Sequence, residues 1–169
     1  MKSFADAGNN LIWVRPSPVD RNFSLRAGGE EVASLRWDKI SGSLATATSA
    51  MGTWTFKRIG FLQPKVSVRA GGGEDIASFE PGVAGGGVVH LASGHLFRWS
   101  SNLWRAEWAW LNAAGKAGVK IHREFSTDER AGTVKVEPGI LPDRELPLLI
   151  VLGWYIVILQ TDDAALQGG

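Results

Sequence analysis

Cysteine is absent from the chain, so no disulfide, thiolate nucleophile or cysteine-built metal site can form, and the composition suits a reducing cytoplasm. An excess of charge of either sign is lacking too. The 18 basic and 17 acidic residues nearly cancel, so no overall field draws the protein to nucleic acid, and any anion site must be local. The longest hydrophobic run, Leu146 to Leu159, is about fourteen residues, whereas a bilayer-spanning helix needs about twenty. Met1 to Asn10 carries one lysine and no apolar stretch, unlike a secretory leader. Catalytic signatures are missing as well: no G-x-S-x-G, H-E-x-x-H, G-x-x-x-x-G-K-[ST] or dinucleotide fingerprint occurs. These absences predict a soluble cytoplasmic protein of one domain, with no enzymatic activity, no cofactor, no nucleic-acid partner and no transmembrane segment.

The uncharged run, L-P-L-L-I-V-L-G-W-Y-I-V-I-L, is longer than a buried strand, and Pro147 sits where a helix tolerates proline, in its first turn. The expectation is a helix over 146–160. A helix apolar on every side must be covered on every side, and a chain of 169 residues does that best by closing a sheet around it.

The rest of the chain supplies that sheet. Turn clusters recur from Phe23 to Glu137: Ala27-Gly28-Gly29, Ser41-Gly42, Met51-Gly52, Gly71-Gly72-Gly73, Ser93-Gly94, Ser100-Ser101-Asn102, Asn112 to Gly118 and Ala131-Gly132. Their spacing is that of an antiparallel barrel or sandwich. Between them, Phe23 and Leu25, Ala33, Leu35 and Trp37, Trp54 and Phe56, Val66 and Val68, and Val134 and Val136 alternate with polar residues and are assigned to the interior. Leu103 to Leu111 is expected to be one strand, with Trp104, Ala106, Trp108 and Trp110 on its dry face. Leu44 to Ala50 alternates alanine with serine and threonine, which keeps bulk low where a helix approaches. An echo between Leu25 to Leu35 and Val68 to Phe79 suggests one hairpin used twice. Residues 1–21, with Pro16 and Pro18, are expected to form an irregular N-terminal arm or an edge strand, and Pro81 to Gly87 a mobile connection.

Many short strands followed by this C-terminal helix resemble the tubby C-terminal-like superfamily, which includes tubby-like proteins, phospholipid scramblases and LURP-one-related proteins. The resemblance would cover about Phe23 to Ala165, and it implies a closed antiparallel barrel of about twelve strands around a central hydrophobic helix. Locally, Arg58 to Arg69, R-I-G-F-L-Q-P-K-V-S-V-R, is similar to the tubby segment in which basic residues precede L-L-G-T-K-F-T-V. Tubby domains use a basic-x-basic pair there to hold phosphoinositide headgroups. Arg58 falls on one of the two positions, Phe56 on the other, and Lys57 is displaced by one. The scramblases' calcium segment and palmitoylated cysteines have no counterpart here.

Three functional readings follow. The first is a non-catalytic barrel, peripheral at a membrane, that binds a phosphoinositide or other anion through Lys57, Arg58, Lys65 and Arg69. Its rival at these residues pairs Arg26 and Arg69 with glutamates of their own hairpins, Glu30 or Glu31 and Glu74. The second reading is a protein-interaction or structural domain without a small ligand. The third is an enzyme using His90 or His95, which could face each other across the Leu91–Gly94 turn. No metal site is expected, since only His122 or a carboxylate could complete that pair. Glu30-Glu31 and Asp162-Asp163 are expected to be solvated.

Overall fold

A computed structural model of the protein describes residues 1–126 and 128–168. Twelve antiparallel strands close into a barrel in which each strand pairs with its neighbours in sequence and β1 seals the ring against β12. They are β1 (Asn10–Val14), β2 (Asn22–Ala27), β3 (Glu30–Trp37), β4 (Ala45–Ser49), β5 (Gly52–Ile59), β6 (Lys65–Ala70), β7 (Asp75–Pro81), β8 (Gly87–Leu91), β9 (Leu96–Asn102), β10 (Glu107–Leu111), β11 (Ala117–Arg123) and β12 (Arg130–Val136). The helix α1 (Leu146–Gly168) follows. Every residue from Pro147 to Leu159 is buried, so α1 runs through the lumen, entering beside the β12 end and leaving past the β1–β2 loop. Closure removes the unpaired edges an open sheet would expose.

The pleat's alternation explains the core. Trp154 stacks on Trp13 with centroids 5.4 Å apart and meets Phe23 edge-on at 5.6 Å. Tyr155 stacks on both Trp37 and Phe56 at 5.3 Å. It reaches both because Ala45, paired with each of them across β4, leaves the gap the ring fills. Gly153 does the same service on the helix: a Cβ there would stand 2.7 Å from Ile121 Cδ1 and 3.0 Å from Trp110 Nε1. Its absence lets the Trp110 indole donate to the Leu149 carbonyl at 2.7 Å. The two echoing hairpins are β2–β3 and β6–β7, and each carries a bulge at the same step, Leu25/Arg26 and Val68/Arg69.

Several expectations change. The helix ends at 168, not 160, because Leu159 marks where α1 leaves the lumen and not where its hydrogen bonding stops. Within 1–21, Asn10–Val14 is neither arm nor edge but the strand that closes the barrel. The segment 103–111 is not one strand: residues 103–106 turn, with Asn102 Oδ1 accepting from the Arg105 amide at 3.2 Å and Ala106 at φ 53°. Trp104 therefore stands at a turn tip, 99% exposed. Trp54 is half-buried at the lining's margin. Ser100 to Asn102 and Ala131-Gly132 lie in strands, not turns. Gly132 is required there because a Cβ would meet Trp154 Cζ3 at 2.7 Å and the His122 carbonyl at 2.6 Å.

Candidate functional site

The lumen is filled, so a ligand site must lie at a mouth or on the outer wall. At the mouth where α1 emerges, period two carries four strands one step past their last core residue, and each step lands on arginine. Trp13 leads to Arg15, Phe23 back to Arg21, Phe56 to Arg58 and Ile121 to Arg123. All four are half-buried. Their guanidinium groups lie over the top of the aromatic core: Arg15 is 5.8 Å from the Phe23 centroid, Arg21 4.6 Å from Trp37, and Arg123 5.4 Å from Trp154. Cations over ring faces are held by the ring quadrupole.

The emerging helix brings Asp162 and Asp163 into this ring. Arg21 bonds Asp162, and Arg58 Nη1 donates to Asp163 Oδ2 at 2.7 Å. The two aspartates are therefore paired, not merely solvated, and their pairing carries α1 past the barrel's edge. Two arginines have no such partner. Arg15 donates Nε to the Asp20 backbone carbonyl at 2.8 Å and meets no carboxylate among the described residues. Among the described residues, Arg123 has Nε and Nη1 buried with no hydrogen-bond acceptor. Burial pushes its pKa down from the usual arginine value; Asp162 opposes that shift, while Arg15 and Arg21 add to it. Arginine nonetheless stays charged, so the mouth holds a cation with unspent donors, an arrangement that costs about 1–3 kcal/mol or more for each unsatisfied group. Beside it, Arg21, Arg58, Ser43, Asp162 and Asp163 line a cleft of about 600 Å³.

Of the residues expected to bind an anion, only Arg58 belongs to this mouth. Lys57 points outward and shares a shallow depression with Arg69, while Lys65 lines another beside Glu80. Alternation separates Lys57 from Arg58 across the sheet, and Arg58 is drawn inward by Asp163. The four do not converge. Arg69 pairs within its own hairpin, with Asp75 at 2.9 Å instead of Glu74, and Arg26 reaches the Gly29 carbonyl at 3.3 Å instead of a glutamate. Arg15, Arg21 and Arg123 were missed, although the period-two steps that place them are legible once the strand ends are known.

His90 and His95 do not face each other. His90 is on the outer wall, opposite Leu96, whereas His95 turns under the far mouth toward α1. There Glu145, buried, accepts from Ser93 Oγ at 2.8 Å and lies 3.2 Å from His95 Nδ1. Both groups address the same carboxylate oxygen, which ties the start of α1 to the β8–β9 turn. The connection 82–86 is also tied down: its 3-10 turn, Val83–Gly85, offers the Gly85 carbonyl to Gln160 Nε2 at 2.8 Å. Gln160 Oε1 in turn accepts from Trp108 Nε1 at 2.9 Å. An outer groove of about 520 Å³ holds Lys120 directly opposite Lys135, with Glu107 opposite His122. Its charged groups are exposed and lack the buried, unspent donors of the mouth.

No protein-family model matches the chain, and neither a curated protein nor a solved structure matches it significantly.

Proposed function

We propose that the protein is a non-catalytic, cytoplasmic barrel that binds a phosphate-bearing or similar anionic headgroup at the arginine-lined mouth. One observation carries this reading: four arginines gather there against two aspartates, and Arg123 keeps buried N–H groups without an acceptor among the described residues. A phosphate has the charge and the several acceptor oxygens to bridge Arg123 and Arg15, and charge-assisted bonds of this kind are roughly twice as strong as neutral ones. Membership of the tubby C-terminal-like superfamily belongs to the same proposal, supported by twelve strands around a C-terminal helix. The phosphoinositide class implied by that resemblance fits the arginine mouth in chemistry, and the mouth shares only Arg58 with the segment that carries the resemblance.

The test is calorimetric titration with inositol trisphosphate at low salt. Wild type should bind, weakening steeply as salt rises through the range where the Debye length falls to about 8 Å. Arg123→Gln should weaken binding by about tenfold or more, as loss of a charged hydrogen-bond donor implies, and a Lys57→Ala, Lys65→Ala double variant should bind like wild type. Absence of binding at low salt, or equal binding by Arg123→Gln, removes the anion reading.

A further inference from the structure

The loops around the arginine mouth share a property that the anion reading does not use. Six loops meet at this end of the barrel, and each raises a large apolar side chain into solvent: Val19, Ile40, Phe61, Val83, Trp104 and Phe125. Three loops double it, with Leu44 in the loop of Ile40, Leu62 beside Phe61 and Leu103 beside Trp104, and Leu166 on the protruding part of α1 adds another. The opposite end, among the described residues, exposes only Met1, Met51 and Leu96 of this kind. Three of its five hairpins turn on Gly28-Gly29, Gly71 to Glu74 and Asn112 to Lys116, and none of these three raises a large apolar side chain. Single exposed apolar residues need no explanation, but their collection on every loop of one end does.

We propose that this end of the barrel docks on the interface of a lipid bilayer, with the apolar loop tips inserted among the headgroups and upper acyl chains. The form of the surface selects a bilayer over a protein. Trp104 is 99% and Phe61 95% exposed, so these side chains stand clear of the barrel as separate prongs. A protein partner fits a contiguous, well-packed patch with pockets for its anchors; Ile40 and Leu166 share the cleft beside Arg21 and Arg58, whereas Phe61 and Trp104 stand almost wholly exposed on loops of their own. Lipid closes around separate prongs, and tryptophan at a headgroup boundary is a favoured position. The ring encircles Arg15 and Arg123, which places their donors at the level of lipid phosphates once the tips are seated. Apolar insertion needs no anionic lipid, so this inference stands independently of the anion site.

The experiment is sedimentation with vesicles of phosphatidylcholine alone, comparing wild type with a Phe61→Ser, Trp104→Ser, Phe125→Ser variant whose circular dichroism verifies the fold. All three positions are exposed, so the variant should fold. Wild type should co-sediment, and the variant should lose on the order of tenfold in partitioning for each side chain that inserts. Bromine-labelled acyl chains should quench wild-type fluorescence more than that of Trp104→Phe, which should still bind. Wild type remaining in the supernatant, or equal sedimentation of the triple variant, overturns the proposal. So does loss of vesicle-free self-association in the triple variant without a change in vesicle binding, since the ring would then be a contact between copies of the chain. A second arm adds a phosphatidylinositol phosphate to the vesicles. If Arg123→Gln keeps its affinity for phosphatidylcholine and gains as much as wild type from the added phosphate, the anion site fails while the docking surface stands.

Discussion

Tyr155 is the only tyrosine in the chain, and its phenol is sealed between α1 and the barrel wall, so its ionisation reports directly on the core. The ring is fully buried between Trp37 and Phe56, and its hydroxyl donates to the Ser43 carbonyl. Burial pushes its pKa up from 10.0 to about 12, outweighing the opposing pull of the Arg58 charge. In the unfolded chain the phenol ionises near 10; in the folded protein it stays neutral until about 12. The folded state therefore binds the proton more tightly, and stability is fully present below pH 10 and lost as pH rises through the window from 10 to 12. Two units correspond to at most about 2.7 kcal/mol, of which about half is lost by roughly pH 11. Against this, the hydroxyl's hydrogen bond contributes about 0.5–1.5 kcal/mol at neutral pH. Urea unfolding of wild type and Tyr155→Phe, followed from neutral to alkaline pH, should show wild type the more stable at first. That advantage should disappear near the middle of the window and then reverse, while other titrating groups cancel between the two proteins. The phenolate absorbance of folded wild type should rise only near the top of the window. A constant difference between the two proteins, or a phenolate midpoint at the unfolded value, would refute the reasoning.

Leu152→Asp places an unpaired charge at a position with no exposed surface. It should cost several kcal/mol and abolish cooperative folding, as thermal unfolding would read; a soluble, cooperatively melting variant would remove α1 from the lumen. Gly132→Ala forces a methyl group against the His122 carbonyl and against Trp154, which its stack on Trp13 holds in place. About 1–3 kcal/mol of overpacking should follow, and an unchanged denaturation midpoint would mean the indole can move.

The residues that sequence reasoning placed well are those whose environment repeats. Phe23, Leu25, Ala33, Leu35 and Trp37 lie inside because a pleat alternates and one face must be dry. The same rule misled at Trp104, whose parity matches Trp108 and Trp110. Local hydrogen bonding by Asn102 makes the turn there, and alternation has no meaning outside a strand. Glycine misled at Gly132 in the opposite sense: it marks the close approach of Trp154, a residue far along the chain, and not a turn.

The sequence by itself determined the closed barrel and its central helix, because an uncharged run of that length needs a complete apolar cover and the alternating segments before it are enough to provide one. Only the tertiary structure decided which charges meet. Asp162 and Asp163 find Arg21 and Arg58 across more than a hundred residues of chain. Arg15 and Arg123 come together because β1 and β11 flank β12 in the closed ring. Periodicity states which way a side chain points within its own strand; which strands stand side by side, and at which mouth their ends converge, depends on the register and closure of the whole sheet.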